Sequence, residues 1–342
     1  MNRLTGIIVF IAIIASSCDI LKDDPKLPFP DGHGAFILNE GNYLAGNGSL
    51  SFYSFETEKI YDNLFSARNE RPLGDIPTFM AVDGDRAFII VNNSGTVEVI
   101  DLNTMESLGT LTGIISPRQM VIRERKAYVS SLMSDLIYIV DIENLVVTGT
   151  VDIGCNSEAL VIAGNRLFAA NWSGGDKITV VNLSDNTVET EIKTGLEPES
   201  MVLDRNNRLW VLCTGGYMNE EIPRIVKINT LTMAVEDELE FRTVSDNPSS
   251  LTINGGGDTL YYIDEGVRRM TVTAAALPED VCISTGGRLF YKLAASPWNG
   301  MIMVTDAIDW QQKGDLLIYN RNGSLVDTEQ CGIIPGFMRF KE

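Results

Sequence analysis

Short apolar runs broken by Gly, Asn, Asp and Pro repeat along the chain from Ala35 to the C-terminus. Within them a segment of the form Pro-x-x-(Met/Leu)-x-apolar recurs. It reads PTFMAV from Pro77, PRQMVI from Pro117, SEALVI from Ser157, PESMVL from Pro198 and PSSLTI from Pro248. Degenerate copies are FYKLAA from Phe290 and PGFMRF from Pro335. The anchors Met80, Met120, Leu160, Met201, Leu251, Leu293 and Met338 recur at intervals of about 40 to 50 residues, the period of a propeller blade.

Each unit has the same internal order. A second strand follows the anchor segment, as in Arg86 to Asn92 and Arg166 to Asn171. A third strand ends in Asp or Asn, as in VEVIDL from Val97, IYIVDI from Ile137 and ITVVNL from Ile178. That residue opens a turn, because its short side chain bonds backbone two residues on. A fourth strand completes the unit, such as VVTGTVDIG from Val146. Apolar residues fall on both parities, which a sheet with one wet face does not show. Sheets stacked on both sides do. Long amphipathic helix periods are absent.

The last copy, PGFMRF, ends within two residues of the C-terminus with no strands after it. Conversely, the first segments of the repeat region, residues 35–40, 50–55 and 59–65, lack an inner partner. The expected fold is all-β: a seven-bladed β-propeller over 35–342, closed by residues 335–340 joining the N-terminal blade. An eight-bladed ring or an open solenoid is the competing arrangement.

The N-terminus carries a separate signal. Arg3 precedes a mostly apolar run from Leu4 to Ala15, too short to span a bilayer, and Ala15-Ser16-Ser17 leads into Cys18. Residues 1–17 read as a lipoprotein signal peptide. Residues 18–34 read as a lipidated Cys18 and a Pro-rich tether of at most roughly 50 Å. The membrane is then contacted through the lipid anchor only.

The net charge of −19 repels a phosphate backbone, so no nucleic-acid partner is expected. Cys155, Cys213, Cys282 and Cys331 are widely spaced without a CxxC pair, and read as buried or half-buried thiols. The single histidine, His33, lies in the linker. Imidazole metal sites and Ser-His or Cys-His nucleophiles are therefore not expected in the ring, and the chain reads as no enzyme with no metal.

The loops between second and third strands carry the candidate ligand-binding residues. They are Asn39 and Tyr43 in blade one, Asn92 and Asn93 in blade two, Met133 in blade three, and Asn171 and Trp172 in blade four. Tyr217 in blade five, Glu265 in blade six and Trp310 in blade seven complete the set. Flat aromatics with amide neighbours suit a large ligand rich in amides or hydroxyls. Arg118, Glu158 and Glu199 follow the first motif residue and belong at the mouth of the central channel.

The Pro-x-x-Met units resemble the YncE-like propellers. With Cys18, the following Lys22-Asp23-Asp24 and the loop Asn39-Glu40-Gly41-Asn42, the chain resembles the BtuG-type surface cobalamin-binding lipoproteins of Bacteroidetes. The resemblance implies a cell-surface-exposed outer-membrane lipoprotein. Such a protein captures cobalamin or a related corrinoid and delivers it to a TonB-dependent transporter of the BtuB type. Cobalamin is then cargo and no resident cofactor is implied. With no ring histidine to displace its lower base, the base-on form is the one expected. Two other readings stay open: a surface propeller that binds protein or glycan as scaffold or adhesin, and a calcium-dependent lactonase-like hydrolase using channel acids.

Overall fold

The computed structural model describes residues 32–341; the expected signal peptide over 1–17, the expected lipidation at Cys18 and the greater part of the expected tether lie outside the described residues. Seven four-stranded antiparallel sheets form a ring. Blade one combines Pro335–Lys341 as its inner strand with Gly34–Asn39, Ser49–Ser54 and Lys59–Tyr61. Closure therefore runs through the chain ends, with Met338 opposite Ile37 and Phe340 opposite Ala35.

The core is divided among the gaps between blades. Seven buried apolar clusters occur, one in each gap. Strand parity assigns the side chains: Phe36 and Leu38 face blade two, while Ala35 and Ile37 face blade seven. The seven motif anchors fall in seven different clusters, each packed against the preceding blade. A side chain that fills an inter-blade gap is under tight volume constraint, which accounts for the recurrence of Met and Leu.

The motif also marks a backbone irregularity. The register between inner and second strands shifts near the start of the motif in all seven blades. Such a bulge re-aims side chains and frees a backbone amide. The amide of the anchor then pairs across the gap. Leu160 donates to Gln119 Oε1 at 3.1 Å, Leu251 to Ser200 Oγ at 3.0 Å and Leu293 to Ser250 Oγ at 3.0 Å. The third motif position thus stitches one blade to the next.

Two outer strands differ from expectation. The strand expected over 59–65 stops at Tyr61, and Leu64–Asn69 forms a short helix. Its Leu64 and Phe65 are buried in the gap between blades one and two, so burial in a wide gap overrides the strand pattern. In blade six the fourth strand is only Ile283–Ser284. The four cysteines are free thiols, Cys213 and Cys331 buried and the other two half-buried. Among the described residues no helix is long and apolar enough to cross a membrane.

The second-to-third loops and the fourth-to-first connections share one face of the ring. The chain enters at Gly34 on the other face, where His33 packs on Trp298 at 5.3 Å between ring centroids. Trp298 in turn meets Phe55 and Phe340 edge-on.

Candidate functional site

Inner-strand residues of all seven blades line a cavity of about 440 Å³ at the loop-bearing mouth of the central channel. The bulge turns the second and third motif residues toward it. Arg118, Glu158 and Glu199 stand there as the sequence indicated, joined by Thr78, Tyr291 and Lys292. The sequence reading missed Tyr291 and Lys292; they sit at motif positions two and three of the degenerate FYKLAA copy, and that alignment is the signal that could have found them.

The charges at the mouth are ordered. Arg118 donates through Nε to Glu158 Oε2 at 2.7 Å and through Nη2 to Glu158 Oε1 at 2.5 Å, a two-pronged pair. Burial pulls the guanidinium down, but the charge and hydrogen bonds of Glu158 outweigh it and raise its pKa. Lys292 Nζ reaches Glu199 Oε1 at 3.4 Å, and Glu199 Oε2 accepts the Ser250 N–H at 3.1 Å. Glu40, from the loop after Asn39, completes the rim. Its Oε1 accepts the Tyr291 hydroxyl at 2.6 Å. Burial pushes the Glu40 carboxyl up, against the lowering effect of Tyr291, Lys292 and Arg118. Burial likewise pushes the Tyr291 hydroxyl well above its ordinary value, and Glu40 adds to it.

The predicted loop residues separate into two groups. Three asparagines at or just after the ends of second strands are buried. Asn39 is fully buried; it donates to Ser51 Oγ at 2.8 Å and accepts the Gly332 N–H at 3.1 Å. Asn92 donates to the Pro117 carbonyl at 2.8 Å and ties blade two to blade three. Asn171 Oδ1 accepts the Thr179 hydroxyl at 2.8 Å, while its Nδ2 is buried without a partner. Asn93 lies at the surface and donates to Asp75.

The remaining candidates face solvent. Tyr217 is 88% exposed and Met218 beside it 72%; Tyr43, Leu44 and Met133 are comparably open. Glu265 is exposed and lies 3.6 Å from both Arg242 and Arg268. Trp172 is half-buried with its indole N–H lacking a partner. Trp310 is 39% exposed and packs edge-on to Tyr291 at 4.8 Å, while its carbonyl accepts Asn42 Nδ2 at 3.1 Å. Trp310, Tyr291 and Glu40 thus form one continuous path from the loop face to the channel mouth. Tyr217, Met133 and Glu265 stand on separate blades around it.

Among the described residues no group of three or more His, Cys, Asp or Glu side chains is arranged to hold a metal ion. The arrangement as a whole is a polar, ion-paired mouth ringed by exposed aromatic and aliphatic side chains. It can hydrogen-bond a polar arm and cover a flat apolar surface at once.

No curated protein matches the chain. Solved structures do. A protein from Lactobacillus plantarum superposes with a TM-score of 0.70 at 15% identity, over 91% of this chain and 100% of that one. A functionally unknown protein from Desulfotomaculum acetoxidans gives 0.69 at 13% identity, over 90% and 99%. A quinonprotein alcohol dehydrogenase-like protein from Bacteroides thetaiotaomicron gives 0.66 at 14% identity, over 91% of this chain and 79% of that one. At these identities the likeness is one of fold alone. Residues 33–322 match the family described as "Domain of unknown function (DUF5074)", and the chain belongs to that family.

Proposed function

We propose that the chain captures cobalamin or a related corrinoid on the loop-bearing face and delivers it to an outer-membrane TonB-dependent transporter of the BtuB type. It does so as a surface lipoprotein held through Cys18, without chemistry of its own. The observation that carries this reading is the pairing of a polar mouth with a ring of exposed aromatic and aliphatic side chains. A corrin has the matching surface: a broad flat macrocycle fringed by amides. The cavity of about 440 Å³ suits an arm of such a ligand, and the macrocycle lies across the face. His33 is held on the opposite face against Trp298, away from any bound cobalt, which supports the base-on form. The described chain enters the ring at Gly34 on that same opposite face, which leaves the loops free to point away from the membrane.

Titration calorimetry with cobalamin tests the ligand: saturable heat with one-to-one stoichiometry is expected, and no heat overturns the assignment. Membrane release of a Cys18→Ser variant tests the anchor. A second reading, a protein-binding scaffold, draws on Tyr217 and Met218, which project from blade five with little support. Under that reading cobalamin gives no heat. The hydrolase reading finds less support, because Glu158 and Glu199 are each paired with a base at the mouth.

A further inference from the structure

The second motif position lines the channel mouth with a side chain in five blades, through Thr78, Arg118, Glu158, Glu199 and Tyr291. In blade one it is Gly336. A Cβ built there would lie 2.8 Å from Glu40 Oε1 and 3.3 Å from its Cγ. The carboxyl of Glu40 therefore fills the space that a side chain would take. The backbone of Glu40 is fixed on both sides, its N–H donating to the Ile334 carbonyl and its carbonyl accepting the Ile76 N–H. The Tyr291 hydroxyl fixes the carboxyl itself at 2.6 Å. This acid is built into the mouth from three elements.

Its neighbours decide what it does there. Arg118 is engaged by both oxygens of Glu158, and Lys292 by Glu199. Arg339 lies further along the channel, lines the cavities at both ends and has interactions of its own. Glu40 is thus the acid of the rim that is met by a hydroxyl rather than by a base. A guest group that brings N–H donors gains hydrogen bonds here. A guest anion is desolvated beside a carboxylate whose nearest cations are already taken, and like charges in such a place repel strongly.

Resting on the corrinoid reading, we propose that the channel mouth receives one peripheral primary carboxamide of the ligand, and that Glu40 is the residue that rejects the corresponding carboxylate. The size of the cavity admits an arm while the macrocycle stays on the face beside Trp310. A carboxamide and a carboxylate have the same shape, so the selection is made by charge and donor count rather than by volume.

The test compares cobalamin with its separated monocarboxylate derivatives, each lacking one amide, by calorimetry at neutral pH. One isomer is expected to bind weaker by about tenfold or more, and Glu40→Gln is expected to shrink that gap to about threefold or less. Gly336→Ala provides a second variant in which Glu40 is kept but its carboxyl is pushed aside; it is expected to shrink the gap as well. Thermal melts establish that both variants are folded. If every isomer binds like cobalamin, or if the gap persists unchanged in both variants, the assignment of Glu40 is overturned while corrinoid capture stands. If cobalamin itself gives no heat, corrinoid capture falls and the amide assignment with it.

Discussion

The hydroxyl of Tyr291 donates to Glu40 Oε1 across 2.6 Å, joining the inner strand of blade seven to the loop of blade one. Trp310 packs on the outer edge of the same Tyr291 ring. The ring closes within blade one, where Pro335–Lys341 pairs with Gly34–Asn39, and this contact ties the loop after Asn39 to blade seven, so it serves both the ring and the candidate site. A substitution here is read in two ways, as stability and as binding, and the two need not move together.

Glu40→Gln makes the pH dependence of stability a direct readout. Burial raises the Glu40 carboxyl above the ordinary glutamate value of 4.5, outweighing the lowering by Tyr291, Lys292 and Arg118; Glu158 adds to the rise. The folded chain therefore keeps this proton longer than the unfolded chain. The associated stability is fully present below the unfolded value and is lost as pH rises through the raised folded value. Glutamine has no proton to lose, so the melting temperature of the variant minus that of the parent should grow across that window and level off above it. A difference that shrinks as pH climbs from acid to neutral contradicts the sign.

The Arg118–Glu158 pair gives a second prediction. Both side chains are largely buried, at 19% and 14% exposure. Arg118→Met alone leaves a carboxylate in the mouth without its base, and a cost of about 3–5 kcal/mol is expected. The double variant Arg118→Met with Glu158→Met removes both charges and should recover much of that loss. Denaturant titrations of the two single variants and the double variant decide it. A double variant as unstable as the sum of the singles shows that the pair carries no coupling.

What the sequence made legible follows from physics that repeats. The anchors Met80 to Met338 each fill an inter-blade gap, and the bulge before them is made seven times, so both left a periodic trace. Arg118, Glu158 and Glu199 could be placed at the mouth because they share one motif position. Glu40 could not be given its role from local pattern, since its place depends on Gly336, at the far end of the chain. The burial of Asn39, Asn92 and Asn171 was not legible for a related reason: a polar residue at a strand end signals a loop, but not whether its amide faces water or protein. The short helix Leu64–Asn69 escaped because Leu64 and Phe65 read equally well as strand until the gap they fill is known.

Closure through the C-terminal strand predicts a sharp effect of truncation. Pro335–Lys341 supplies the inner strand of blade one, and Met338 is buried in the gap between blades seven and one. Ending the chain after Gly332 exposes the edge of Gly34–Asn39 and the apolar cluster beneath it. Exposed edges of this kind associate. The truncated protein should be recovered largely as aggregate, whereas the milder Met338→Ala should stay soluble but lose about 2–5 kcal/mol of stability. Size-exclusion profiles and melts separate the two. A soluble truncated protein with the parent's melting temperature rules the closure out.

The aromatic ring around the mouth yields the last prediction. Trp310 offers an exposed edge while its backbone is held by Asn42, so Trp310→Ala removes ligand surface without releasing the loop. Trp172 carries an indole N–H that is buried without a partner in the free protein. Loss of one aromatic anchor commonly costs about 2 kcal/mol or more, which is roughly 30-fold in affinity. Trp172→Ala and Trp310→Ala should each weaken corrinoid binding by about that factor, with the larger effect when combined. Trp172→Phe keeps a smaller flat surface and should weaken binding less than Trp172→Ala does. Calorimetry beside thermal melts reads binding and stability on the same samples. Binding that survives both alanine substitutions moves the ligand elsewhere on the ring, toward Tyr217 or Met133, and leaves corrinoid capture itself to the titration of the parent protein.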